Sequence, residues 1–219
     1  QVMNKVDFKQ KSLRETVVEA LDFIGIDIDD FNLKAEYFTN KDRNDHDPRH
    51  LYRVMINCAL IALETNDKRR GLLAFCGGFI HDLALEHNGG NRQHGIDSVK
   101  YKWHLFNELW DKYELSDDEK EIVKTAVIRH CDGDNIYGYK EDKIVNYILH
   151  SADAFDRARF YHTSARLNWN YLKHPDLVVQ NDQPNQHLRK LIAESESVCA
   201  FTKDVDTYLE FREFISNIR

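Results

Sequence analysis

The sequence predicts an all-α protein, and three observations favour this fold class. Helical periodicity of the apolar residues dominates the 219-residue chain, in which only three prolines and nine glycines interrupt regular structure. Strand patterns are scarce, and residues 176–180 would form at most one short strand. The sequence also lacks repeats, low-complexity segments and any linker long enough to separate two domains. We therefore expect residues 1–219 to form a single helical domain.

The helices of the first half are predicted from capping residues and apolar stripes. Ser12 and Glu15 form a capping box for an N-terminal helix with apolar residues on one face. The next apolar stripe covers residues 51–62. Residues 71–85 are apolar on almost every side, which is typical of a central, buried helix. The turn-rich sequence HNGGNRQHG follows and predicts a loop.

The second half is predicted in the same way. A helix is expected over residues 97–113, and Ser116 with Glu119 caps another, whose apolar stripe continues in register to His130. After a glycine-containing loop, a long helix places five residues on one side: Val145, Leu149, Ala152, Asp153 and Asp156. An irregular stretch then leads into one or two C-terminal helices that begin near residue 188.

Composition and charge exclude some classes of function. The net charge of −7 argues against a broad nucleic-acid-binding surface, although a local cluster of metal and arginine can still bind a small phosphorylated molecule. The four cysteines are widely spaced, so a reducing, cytoplasmic compartment is expected rather than a disulfide framework. No apolar run reaches membrane-spanning length and no signal peptide opens the chain, so we expect no membrane partner. The oligomeric state is left open.

Four residues form a candidate metal site. His50, in the string RHLYRV, lies beside an apolar helical stripe, and His81-Asp82 ends the apolar helix. Asp153 follows on the core-facing side of a later helix. Imidazole nitrogens and carboxylate oxygens held by helices suit Mn, Fe, Co, Ni, Zn or Mg rather than a thiolate-bound structural zinc. The sequence therefore predicts a site of two histidines and two carboxylates.

The order H…HD…D resembles the HD-domain metal-dependent phosphohydrolases. The first histidine stands in an H-x-x-R-V context and the last aspartate in an A-D-x-x-D context. The resemblance covers residues 43–159, with additional helices on either side. It implies an HD-type helical bundle in which His50, His81, Asp82 and Asp153 are the metal ligands.

The resemblance also implies a second metal position. Many HD enzymes hold a second ion with additional histidines between the HD pair and the last aspartate. His94, at the start of a helix, and His130, at the end of one, occupy the corresponding intervals. Asp82 would then be the bridging carboxylate, and the site would hold one or two ions.

The subfamily is left open by two departures from known patterns. Stringent-response hydrolases have H-D-x-x-E-D after the pair, whereas this chain has HDLALEH. Cyclic dinucleotide phosphodiesterases of the HD-GYP type carry G-Y-P, and this chain has Gly138-Tyr139-Lys140. Glu86 and His87, one turn beyond the pair, stand where some nucleotidases of the family place a residue that activates water.

Four further residues are candidates for catalysis or substrate binding. His46, in the loop before His50, is a candidate catalytic acid. Arg157 is a candidate phosphate fork, although an arginine there could equally pair with Asp156. Arg53 is a candidate substrate contact or a partner for a carboxylate that orients a ligand. Tyr137 is a candidate for stacking on a nucleobase.

The function expected from these residues is hydrolysis of a phosphate ester. We expect a metal-dependent phosphohydrolase or phosphodiesterase in which a metal-activated water attacks phosphorus in a nucleotide-like or other small phosphorylated substrate. Two alternatives stay open. One is a non-catalytic HD-fold module that senses a ligand. The other is a metal-free diesterase that acts through histidines such as His46 on a phosphorylated protein.

Overall fold

A computed structural model describes residues 17–40, 48–86, 93–132 and 140–156, and within these ranges the chain is helical and contains no strand. The predicted all-α fold class is therefore confirmed. Helix α1 covers residues 17–24. The later helices are α2 (Pro48–Thr65), α3 (Lys68–Ile80), α4 (His94–Lys102), α5 (Asn107–Lys112), α6 (Asp117–Asp132) and α7 (Lys143–Phe155). Short 3-10 turns occur at Ile28–Asp30, Ala35–Tyr37 and Trp103–Phe106.

Helix α3 lies at the centre of the bundle and packs against α2, α6 and α7. Residues 71–85 are all buried, as the sequence predicts, but the helix itself ends at Ile80 and His81 is its C-cap. Gly71 permits the close approach of α2, because a Cβ atom there would lie 2.2 Å from the Cβ atom of Ala62. The central position of α3 delivers His81 and Asp82 to the interior.

The segment at 26–40, which follows α1, covers one face of α3. The Phe31 ring contacts Phe75 and Phe79 edge-on, with centroids 4.9 and 5.3 Å away. Farther along the segment, the Thr39 amide donates a hydrogen bond to the Leu83 carbonyl at 2.9 Å. The segment therefore contacts both the helix and the turn that follows it.

The prediction of one continuous helix over residues 97–113 is wrong. Helix α4 ends at Lys102, and a 3-10 turn separates it from α5. The indole rings of Trp103 and Trp110 stack at 4.7 Å, and Trp110 Nε1 donates to the Trp103 carbonyl at 3.2 Å. Residues seven apart in a continuous α-helix would be about 10 Å apart along its axis. The turn therefore brings the two rings together and buries both.

The predicted capping box at the start of α6 is confirmed. The Glu119 amide donates to Ser116 Oγ at 3.2 Å, and the Ser116 amide donates to Glu119 Oε1 at 3.1 Å. Arg69, in the first turn of α3, donates to both oxygens of Glu119 at 2.6 and 2.7 Å. The same carboxylate thus caps α6 and links it to α3.

Three of the predicted elements lie outside the described residues. They are the capping box of the N-terminal helix, the short strand at 176–180 and the helices that begin near residue 188. None of the helices described combines the length and the apolar composition needed to cross a membrane.

Candidate metal centre

The four residues predicted to bind the first metal ion lie close together inside the bundle. His50 lies in the first turn of α2, His81 and Asp82 follow α3, and Asp153 lies in the last turn of α7. His50 Nε2 is 3.2 Å from Asp82 Oδ2 and 3.2 Å from Asp153 Oδ1. His81 Nε2 is 3.4 Å from His50 Nε2 and 3.5 Å from Asp82 Oδ2.

The two histidines predicted for a second position lie on the other side of Asp82. His94 is the first residue of α4, as the sequence predicts, and His130 lies in the last turn of α6. Their Nε2 atoms are 3.0 Å apart and lie 3.2 and 3.3 Å from Asp82 Oδ1. One oxygen of Asp82 therefore faces His50 and His81, and the other faces His94 and His130.

These separations fit a bound cation. Ligands about 2.1 Å from a tetrahedral ion lie about 3.4 Å from one another, close to the separations of the nitrogen and oxygen atoms here. Among the residues that the structure describes, three groups have ligand atoms that all lie within 4.8 Å of one another: His50, His81 and Asp153; His81, Asp82 and His130; and His94, His130 and Cys131. The buried histidines and aspartates could therefore hold a metal ion.

Local hydrogen bonds orient the imidazole rings. His81 Nδ1 donates to the Gly78 carbonyl at 2.7 Å, and His130 Nδ1 donates to the Val127 carbonyl. A carbonyl oxygen can only accept, so the proton of each neutral ring resides on Nδ1. The lone pair of each Nε2 atom then faces Asp82, as a metal ligand requires.

The start of α4 approaches the end of α6 closely because residue 95 is a glycine. A Cβ atom at Gly95 would lie 2.5 Å from the Val127 carbonyl oxygen and 2.9 Å from Cys131 Sγ. The Gly95 amide donates a hydrogen bond to the same sulfur at 3.3 Å. This contact holds His94 against His130.

The turn that carries Asp82 is fixed from α4. Ser98 Oγ accepts a hydrogen bond from the Ala84 amide at 3.1 Å and donates one to the His81 carbonyl at 3.2 Å. Ser98 is fully buried. Together with the Thr39 hydrogen bond to Leu83, these contacts hold both ends of the turn and so fix the Asp82 carboxylate.

The electrostatic environment favours positive charge beside His50. Burial alone would lower the pKa of His50, but hydrogen bonds to Asp153, Asp156 and Asp82 raise it to about 10. Burial acts in the opposite direction on Asp153, yet hydrogen bonds from His50 and His81 hold its pKa well below the usual range. The carboxylates thus create a negative potential where the predicted ligands converge.

The centre is partly exposed. The side chains of His50, His81, Asp82 and His130 are at most 3% exposed. The side chains of His94 and Asp153 are 16% and 29% exposed. Solvent therefore reaches the cluster past His94 and Asp153.

The structure places two of the other predicted residues. Glu86 is exposed at the end of the turn after α3. Arg53 is 4% exposed and forms an ion pair with the buried carboxylate of Asp156. His46, His87, Tyr137 and Arg157 lie outside the described residues.

One part of this arrangement was not predicted from the sequence, namely the contact between His50 and Asp156. Asp156 is placed correctly on the side of α7 that carries Asp153, but its partner His50 was not foreseen. The available signal was spacing, because Arg53 and Asp156 each stand three residues after a predicted ligand. Such a repeat places each residue beside its ligand on a helix face.

No family model matches this chain. No curated protein and no solved structure was found to match it either.

Proposed function

We propose that this protein is a metal-dependent phosphohydrolase or phosphodiesterase of the HD-domain type, acting on a nucleotide-like or other small phosphorylated substrate. The observation that carries the proposal is the Asp82 carboxylate, whose two oxygens face two separate pairs of imidazole nitrogens. A single carboxylate placed in this way can bridge two cations, and paired cations are typical of enzymes that hydrolyse phosphate esters.

The ligand set supports this chemical class. His50, His81, Asp82 and Asp153 would hold one ion, and Asp82 with His94 and His130 would hold the other. When bound, such ions act as Lewis acids that lower the pKa of water and neutralise charge on phosphate oxygens. Two divalent ions bring more positive charge than Asp82 and Asp153 neutralise, which favours an anionic substrate.

Residues of the chain have separate tasks in this proposal. The buried histidines hold fixed tautomers through their Nδ1 hydrogen bonds. Asp153, 29% exposed and ionised at neutral pH, accepts a hydrogen bond from an incoming water and orients it. His46 is the proposed proton donor to the leaving group, and Glu86 and His87 are the proposed candidates for activating water.

Metal analysis together with a hydrolysis screen tests the proposal. Protein purified without chelator should carry about one or two equivalents of a transition metal and hydrolyse members of a panel of phosphorylated metabolites supplied with Mn²⁺, Co²⁺ or Zn²⁺. Asp82→Asn should reduce hydrolysis by several orders of magnitude, because it removes the shared negative charge at an almost unchanged shape. Asp111→Asn, the same change at a side chain that is 75% exposed, should have no effect.

Three outcomes would contradict the proposal. Protein that neither contains nor takes up these metals would exclude a metal-dependent reaction. Metal-loaded protein that hydrolyses nothing in a broad panel would favour a ligand-sensing module. Folded Asp82→Asn protein with wild-type activity would remove Asp82 from the site.

A further inference from the structure

A buried ion pair lies directly behind His50, on the side away from the metal positions. Asp156, which follows α7, is fully buried, and Arg53 on α2 is 4% exposed. Arg53 donates from Nε to Asp156 Oδ1 at 2.5 Å and from Nη2 to Asp156 Oδ2 at 3.2 Å. His50 Nδ1 lies 2.6 Å from Asp156 Oδ2. Both oxygens of this carboxylate are therefore used within the protein.

The pairing determines which nitrogen of His50 is available as a ligand. Arg53 is always charged and keeps Asp156 ionised, and an ionised carboxylate only accepts hydrogen bonds. The His50 Nδ1 atom must therefore carry a proton and donate it. The Nε2 atom of a neutral His50 is then unprotonated, and it is the atom that lies 3.2 Å from both Asp82 and Asp153.

His50 differs in this respect from two neighbouring histidines. His81 and His130 donate from Nδ1 to the backbone carbonyls of Gly78 and Val127, whereas His50 donates to a charged side chain. A carboxylate acceptor makes the imidazole a stronger base, and therefore a stronger metal ligand, than a carbonyl does. Arg53 also compensates the charge of Asp156, so this gain does not leave a buried charge unpaired.

We infer that Asp156 is a positioning residue that holds His50 as an Nδ1-protonated ligand aimed at the first metal position, and that Arg53 keeps Asp156 ionised for this role. The inference rests on the proposed function, since it needs a metal at His50. A purely structural role would be different: Arg53 and Asp156 would only dock α2 against α7. A second hydrogen bond between the same helices, from Asn57 Nδ2 to the Ala152 carbonyl at 3.1 Å, allows the two roles to be separated.

Calorimetric titration of metal-free, full-length protein with Mn²⁺ tests the inference. Asp156→Asn should weaken the first Mn²⁺ by about 10–100-fold, the usual effect of removing a carboxylate that supports a histidine ligand. The absorption bands of the Co²⁺-loaded variant should shift as well, because the donor strength of His50 changes. Asn57→Ala removes the hydrogen bond to the Ala152 carbonyl and leaves the His50–Asp156 contact in place, so it should reduce stability and leave the Mn²⁺ affinity at the wild-type value.

A second variant keeps the test valid if Asp156→Asn does not fold, since that change removes the buried carboxylate that both Arg53 and His50 bind. Arg53→Met combined with Asp156→Asn removes both charges, and it should fold while showing the same loss of affinity. A folded variant with wild-type Mn²⁺ affinity and an unchanged Co²⁺ spectrum would overturn the inference and leave the proposed function intact. An equal loss of affinity in Asn57→Ala would assign the effect to helix docking and would also overturn it. A wild-type protein that binds no Mn²⁺, Co²⁺ or Zn²⁺ would overturn the proposed function together with the inference.

Discussion

Replacing Gly95 with alanine should remove the second metal position and leave the first intact. The added Cβ atom would lie 2.5 Å from the Val127 carbonyl oxygen and 3.2 Å from the Ile128 Cα atom, both of which belong to the backbone of α6. Ordinary contacts between such atoms are about 3.5 Å, so the start of α4 must move away by about 1 Å. A ligand site tolerates only about 0.5 Å of displacement.

The expected loss of affinity for the second ion follows from this displacement. His94 immediately precedes Gly95, and its Nε2 atom lies 3.0 Å from His130 Nε2 and 3.2 Å from Asp82 Oδ1. A shift of about 1 Å at a preorganised site can cost about 100-fold, so the affinity for the second ion should fall by that order. The steric conflict should also reduce the free energy of unfolding by about 1–3 kcal/mol, which urea unfolding in the presence of chelator would measure.

Two other glycines, Gly71 and Gly78, both lie on α3 and provide matched controls. Gly71→Ala would place its Cβ atom 2.2 Å from the Cβ atom of Ala62, away from the metal positions, so it should reduce stability while both ions still bind. Gly78→Ala would place its Cβ atom at ordinary distances of 3.4 and 3.5 Å from Val54 and Met55, so it should change neither property by much. A Gly95→Ala protein that binds two ions with wild-type affinity would refute the reasoning.

Two further predictions concern the metal stoichiometry and the α6 cap. His81→Ala should remove the tightest-bound ion, whereas His130→Ala should remove only the second equivalent, and metal analysis of the purified variants measures both. A hydrogen bond from Arg69 holds the pKa of Glu119 below its ordinary value, so the pair stabilises the protein above that value and its contribution disappears as the pH falls through the folded pKa. Because the Arg69 side chain is 47% exposed, Glu119→Gln should cost only about 0.5–1 kcal/mol at pH 7 and less at pH 3, as measured by urea unfolding. An equal cost at both pH values would assign the effect to packing.

Local signals in the sequence predict a large part of the helices and the helix ends at which several candidate ligands lie. The stripe at 51–62 lies within α2, and the pattern around Ser116 predicts the start of α6 to within one residue. His81, His94 and His130 all stand at the helix ends where the sequence places them. These features depend on residues within a few positions of one another, which apolar periodicity and capping rules describe.

Contacts between distant residues could not be predicted in this way. The Arg53–Asp156 pair joins residues 103 positions apart, and the sequence alone gave Asp156 only a neighbouring arginine as a candidate partner. The break between α4 and α5 depends on stacking of Trp103 against Trp110 in the core, which overrides a continuous helical pattern. The close approach at Gly95 depends on the α6 backbone, about which the sequence of α4 carries no information.

The segment at 26–40 extends the functional unit beyond the residues that carry the metal-binding pattern. A truncated chain that begins at residue 43 would keep every predicted ligand, yet it would lose Phe31 and Thr39. Phe75 and Phe79 would then be exposed to water, and the Leu83 carbonyl would lose its hydrogen bond. A boundary for expression or deletion should therefore lie before this segment, because the position of Asp82 depends on residues that are not among the predicted ligands.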